Sequence, residues 1–229
     1  MIASRVPWWL AVGGLALAAR LFYRFAAGEP LLFAHPYHYF HGALRILENA
    51  DPLGFAWTSD AWHQWLGPWT IAPLYYLFVA AVVGLTGHLL PLQILQFVLD
   101  AGVAVATAAL GRRIAGPRGA WAGVVYALNF HAIEQSASTL TENLHSPLLV
   151  AALTLLAAEA AWPAEAAGLP RRRWLVVSGF LLGLSGLARS VSTAFVPLAA
   201  LWRASLAGTR RQGVKAAAIL ALSAAAAIL

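Results

Sequence analysis

The stretch Pro73-Leu74-Tyr75-Tyr76-Leu77-Phe78-Val79-Ala80-Ala81-Val82-Val83-Gly84-Leu85-Thr86-Gly87-His88-Leu89 decides how the chain is threaded. It is apolar enough to enter a bilayer, yet shorter than the roughly twenty residues a helix needs to cross the hydrocarbon core. Pro73 suits a helix start, Tyr75 and Tyr76 suit a headgroup boundary, and Gly84 and Gly87 interrupt the run beside His88. The basic residues settle the choice. They come in three bursts between apolar blocks: Arg112, Arg113 and Arg118; Arg171, Arg172 and Arg173; Arg203, Arg210, Arg211 and Lys215. If residues 73–89 crossed the membrane, every burst would fall opposite Arg5. If they lie in the interface, all three bursts share its side, which is how cytoplasmic loops are written.

Working outward from that segment, spans are expected at about 7–25, 92–110, 120–133, 144–162, 174–188, 190–206 and 214–229. Residues 27–90 then form one external segment carrying surface helices. The expected fold class is all-α, a polytopic transmembrane helical bundle, with residues 1–229 as one membrane module. The apolar run at the end suggests the amino-terminal part of a longer protein. A full inversion is the rival topology.

Composition agrees. The chain is 61% hydrophobic and 10% charged, far from a soluble domain. It has no cysteine, hence no disulfide framework and no thiolate chemistry. The formal net charge of +6 sits in the loops between spans and is not spread over a face, so it reports topology and excludes nucleic acid as a partner. The expected location is the inner (cell) membrane of a bacterium, with the active side external or periplasmic.

Under this topology every histidine lies on or near the external side, and three constellations stand out. His35, His38 and His41 follow one another at intervals of three on a short surface helix with Tyr39, Phe40, Leu44 and Leu47 as its apolar side. The histidines either face water on an interfacial anchor, or act as acid and base or as metal ligands near neutral pH. Glu142 and His145 share a helix face at the start of an apolar block. Glu142 is either a capping-box partner of Thr139 or a carboxylate at a cavity mouth. Arg189, in Gly186-Leu187-Ala188-Arg189-Ser190, stands apart from the basic bursts; it either snorkels to headgroups or binds a phosphate. Asp100, within an apolar block, is expected to be packed and hydrogen-bonded.

Several pieces taken in order carry a resemblance: His35 to Leu47, Ala72-Pro73-Leu74-Tyr75, Leu99-Asp100 through Gly111-Arg112-Arg113, Thr139 to Asn143, and Leu184 to Pro197. Together the chain resembles the amino-terminal portion of the C-type (GT-C) membrane glycosyltransferases, in the group that includes the protein mannosyltransferases and the aminoarabinose transferases of lipid A. The resemblance implies transfer of a sugar from a polyprenyl-phosphate donor to an acceptor on the external face. It makes a polyprenyl-phosphate-linked sugar and membrane lipid the expected partners. It points to His35, His38 and Glu142 as catalytic candidates, and to Arg189, Tyr39, Asp60 and His145 as substrate-binding ones. No cofactor or metal ligand is assigned, and a divalent metal is left open. The family carries an aspartate four residues before the tyrosine of the surface helix, where this chain has His35. A histidine accepts a proton but does not supply a carboxylate's charge beside an oxocarbenium-like centre, so Asp51 or Asp60 are alternatives for that role. Two other readings remain: an inactive relative that binds lipid-linked sugar or a partner, and a small polytopic transporter. Charges deep in the spans mark a transporter, and Asp100 is the one expected there.

Overall fold

The computed structural model describes residues 7–28, 35–49, 73–161 and 171–228, and all regular structure among them is helical. Among the described residues, four runs are long and apolar enough to cross a membrane: Trp8–Ala27, Leu89–Ala127, Glu142–Ala160 and Arg210–Ile228. The protein is therefore an all-α membrane bundle.

Helix α1 (Trp8–Ala27) begins after Pro7, whose carbonyl accepts the Leu10 and Ala11 amides, and stops at Gly28, which has φ 79°. Its 20 residues rise about 30 Å, the thickness of a hydrocarbon core. It runs antiparallel to α4 (Leu89–Ala115), and the two are matched at both ends. The Arg112 guanidinium lies 5.0 Å from the Trp8 ring centre, while Arg24 Nε donates to Gln93 Oε1 at 3.0 Å. The first pairing marks what we call the arginine end of the bundle, and the second marks the site end.

Between the two long helices lie α2 (His35–Asn49) and α3 (Pro73–Thr86). They run parallel to each other: Tyr39 packs on Tyr75 and Tyr76, with ring centres 5.3 Å apart in each pair, and Leu47 lies against Gly84. Gly87, at φ 70°, turns α3 back into α4. Because Tyr75, at the start of α3, meets Gln96 only two turns into α4, α3 covers the first turns of α4 and does not follow it to the arginine end. Both short helices thus cap the site end, around a core of Ala43, Ile46, Val79 and Leu92.

After α4, a 3-10 turn at Gly116–Ala120 reverses the chain into α5 (Trp121–Ala127). The reversal is tight because Gly111 and Gly119 have no side chains; a Cβ on either would strike the other's carbonyl. The expected span at 120–133 is a broken one. Helix α5 stops at Leu128, and Asn129 caps α6 (Phe130–Ala137) by accepting the His131 and Ala132 amides. Buried Arg20, 0% exposed, donates to Ala127 O at 3.0 Å at the end of α5, to Ala16 O at 2.9 Å, and through Nε to Asp100 Oδ2 at 2.5 Å. Tyr126 donates to the other Asp100 oxygen at 2.6 Å. Asp100 is thus packed and hydrogen-bonded, but it is not the single charge inside the bundle: Arg20 lies beside it and neutralises it.

The remaining helices alternate between the two ends. Helix α7 (Glu142–Ala161) starts at the site end, and its Glu159 meets Arg203 near the far end of α9 (Phe195–Ser205). Helix α8 (Arg171–Ala188) returns to the site end, where a 3-10 turn at Ser190–Ala194 leads into α9. Helix α10 (Arg210–Ile228) crosses α8 at Gly179 and Gly183, where a Cβ would strike the Leu220 and Ala224 carbonyls; this is close backbone packing at small-xxx-small spacing.

Candidate functional site

At the site end, α2, the start of α7 and the turn after α8 meet around one ion pair. Arg189 Nη1 donates to Glu142 Oε1. Thr141 Oγ1 donates to Glu142 Oε2 at 3.0 Å, and the carboxylate also accepts from its own backbone N–H. The Tyr39 hydroxyl is hydrogen-bonded to Thr141, whose side chain also reaches Glu142. Burial raises the Tyr39 pKa, partly offset by the Thr141 bond, so the phenol keeps its proton at neutral pH. The result is a polar chain from Tyr39 through Thr141 and Glu142 to Arg189.

Below it the ring of His145 is oriented by two serines: Nδ1 lies 2.9 Å from Ser185 Oγ and 2.7 Å from Ser192 Oγ. The residue pair Glu142 and His145 thus does face one place, as the helical spacing predicts, with α8 and the turn after it closing the other side. The base of the site is a layer of amides. Gln96 Nε2 donates to the Tyr75 hydroxyl at 3.3 Å and to Ser138 O at 3.1 Å, and Asn143 Nδ2 donates to Gln135 O and Ser138 O. The Asn143 side chain also hydrogen-bonds Tyr75, whose complete burial pushes its phenol well above the ordinary value. These bonds satisfy the Gln135 and Ser138 carbonyls, where the chain leaves α6 before α7 begins.

The structure therefore brings together Tyr39, Glu142, His145 and Arg189 of the expected residues. Glu142 is tied by an ion pair and by Thr141, not by the expected box with Thr139, which is buried. His38 is exposed, one residue before Tyr39 on α2. His35 opens α2, with its side chain outside the described residues, as is the whole of Asp60. Among the described residues no group of three histidine or carboxylate side chains gathers as a metal site. Sequence reasoning passed over Thr141, Ser185, Ser192, Gln93 and Gln96. Gln93 and Gln96, three apart in an otherwise apolar block, were the available signal: amides at that depth need partners.

Chemically, the site offers a guanidinium with its side chain 44% exposed, a carboxylate fixed on one edge, a protonated phenol and an oriented imidazole. Arginine presents several donors in a plane, so an anion can be bound by the edge that Glu142 does not occupy. No family model, no curated protein and no solved structure matches this chain.

Proposed function

We propose that the chain is a GT-C type membrane glycosyltransferase, or its amino-terminal module, which moves a sugar from a polyprenyl-phosphate donor to an acceptor at the site end of the bundle. The observation that carries the reading is the Glu142–Arg189 pair, reached by Tyr39 of the capping helix. In this reading the acceptor hydroxyl attacks the anomeric carbon, and the bond from that carbon to the phosphate oxygen breaks. The polyprenyl phosphate leaves with the bonding pair, and the acceptor proton passes to His35 or His38. Arg189 holds the donor phosphate and offsets its charge as it leaves. Glu142 orients the sugar or acceptor, while Tyr39 and His145 line the sugar's place, with Asp60 as a further candidate. The donor's hydrocarbon chain would run along the apolar flank of the bundle.

The same reading places the site end on the external face of a bacterial inner membrane and the arginine bursts in the cytoplasm, as the positive-inside rule requires. A specific departure favours a second reading. His35 stands where the resembled family carries an aspartate, which suits a protein that binds lipid-linked sugar without transferring it. Purified protein in lipid nanodiscs, given a radiolabelled polyprenyl-phosphate sugar and a mixture of candidate acceptors, separates the two. Transfer supports the enzyme, saturable retention of the donor without transfer supports the binder, and neither outcome leaves both readings without support.

A further inference from the structure

We propose that the arginine end carries a second site, independent of the one just described, which binds the phosphate headgroup of an anionic phospholipid. A cavity of about 730 Å³ opens there between α7, α8, α9 and α10. Its polar lining comes from all four helices: Glu159 from α7, Arg172 from α8, Arg203 from α9, and Gln212 and Lys215 from α10. The single carboxylate is already satisfied. Glu159, only 2% exposed, accepts from Arg203 Nε at 2.5 Å and from Arg203 Nη2 at 2.8 Å. That bidentate pair cancels one charge inside the wall and fixes Arg203, so Arg172 and Lys215 remain as cations facing the space.

Snorkelling alone sends each basic side chain separately to the headgroup layer and needs no shared cavity. Here cations from different helices converge on one concavity whose other wall is apolar and continues onto exposed Leu222. That combination suits a phosphodiester headgroup in the cavity with its acyl chain lying along α10. Basic pockets between transmembrane helices recognise anionic lipid heads in this way. A free phosphate shares the headgroup chemistry but gains nothing from the apolar wall.

The test is native mass spectrometry of the full chain released from detergent containing phosphatidylglycerol or phosphatidylcholine. The wild type is compared with Arg172→Gln/Lys215→Gln, with Lys215→Gln alone, and with Arg118→Gln, an exposed cation of the same end outside the cavity. Phosphatidylglycerol should be retained over phosphatidylcholine. Each cation removed from the cavity should weaken retention about fivefold, so roughly 25-fold for the double variant, while Arg118→Gln stays at the wild-type level. The single variant and Lys215→Arg, which should retain the lipid, keep the test decisive if the double variant unfolds. Equal loss in Arg118→Gln, or no loss in either cavity variant, overturns the site. Displacement of the lipid by millimolar inorganic phosphate overturns the lipid assignment in favour of a free phosphate.

Discussion

Glu142 and Arg189 neutralise each other across the gap between α7 and the turn after α8, so removing either leaves a partly buried charge facing the site. Under the proposed transfer reaction their substitutions separate. Arg189→Ala should mainly raise the KM for the polyprenyl-phosphate donor. Glu142→Gln keeps the shape but not the charge, and should lower kcat about a hundredfold or more. Because the two touch, the double variant should lose less than the single losses combined. Steady-state kinetics on the three variants decides it, and full activity in Glu142→Gln would remove the carboxylate from the mechanism. A different residue-scale expectation concerns Arg20 and Asp100, which lie away from the site. Asp100→Ala strands a fully buried guanidinium and should cost about 3–5 kcal/mol. Arg20→Met combined with Asp100→Leu removes both charges and should recover most of that loss, though the carbonyl of Ala127 loses its donor. Unfolding in mixed detergent micelles measures both; a double variant no better than Asp100→Ala would show that the pair is needed for more than neutrality.

The helices themselves were largely legible from apolar blocks, in that each expected block overlaps observed helix, while four runs among the described residues are long and apolar enough to cross a membrane and one expected block is broken. The block read as one span at 120–133 breaks at Leu128 and Asn129 without proline or glycine to announce it. The cause is tertiary. Arg20 supplies a donor to the Ala127 carbonyl from another helix, so the ladder can be interrupted at little cost. Likewise the pairing of Glu142 with Arg189 was not legible, because residues 47 apart in sequence meet only through the α7–α8 hairpin, although each had been singled out. An element contact of the same hidden kind joins α8 to α10. Gly179 and Gly183 let α10 approach α8 until its carbonyls occupy the space of two side chains. Gly183→Leu should therefore separate the helices and cost about 1–3 kcal/mol by overpacking, with loss of resistance to detergent unfolding. Gly14→Leu, at an open position on α1, is the control. Equal stability of the two variants would mean that α10 is not seated as described.

Across the described residues, apart from the buried Arg20–Asp100 pair, charged side chains gather at two ends and the helix directions say which segments belong to which. Arg112 beside Trp8 and Arg203 on Glu159 mark one end; Arg24 on Gln93 and Arg189 with Glu142 mark the other. Helix α3 begins beside Gln96 and ends in the turn that starts α4, so both of its ends lie in the half of the bundle nearest the site. Four runs of the described residues are long and apolar enough to span; with such a segment left uncrossed, the expected arrangement has seven crossings, α5, α6 and their break counted as one. The expectation can be read directly because the chain has no native cysteine. Single cysteines at Pro117 and Thr209, both exposed at the arginine end, should be shielded from a membrane-impermeant thiol reagent applied to intact cells, while cysteines at Ser190 and Asp60 should be labelled. Shielding at Ser190 with labelling at Pro117 and Thr209 would invert the protein and put the candidate site in the cytoplasm. Labelling of Ser190 and Pro117 together from outside would instead show that an odd number of crossings does not separate them, and the seven-crossing arrangement would fall with it.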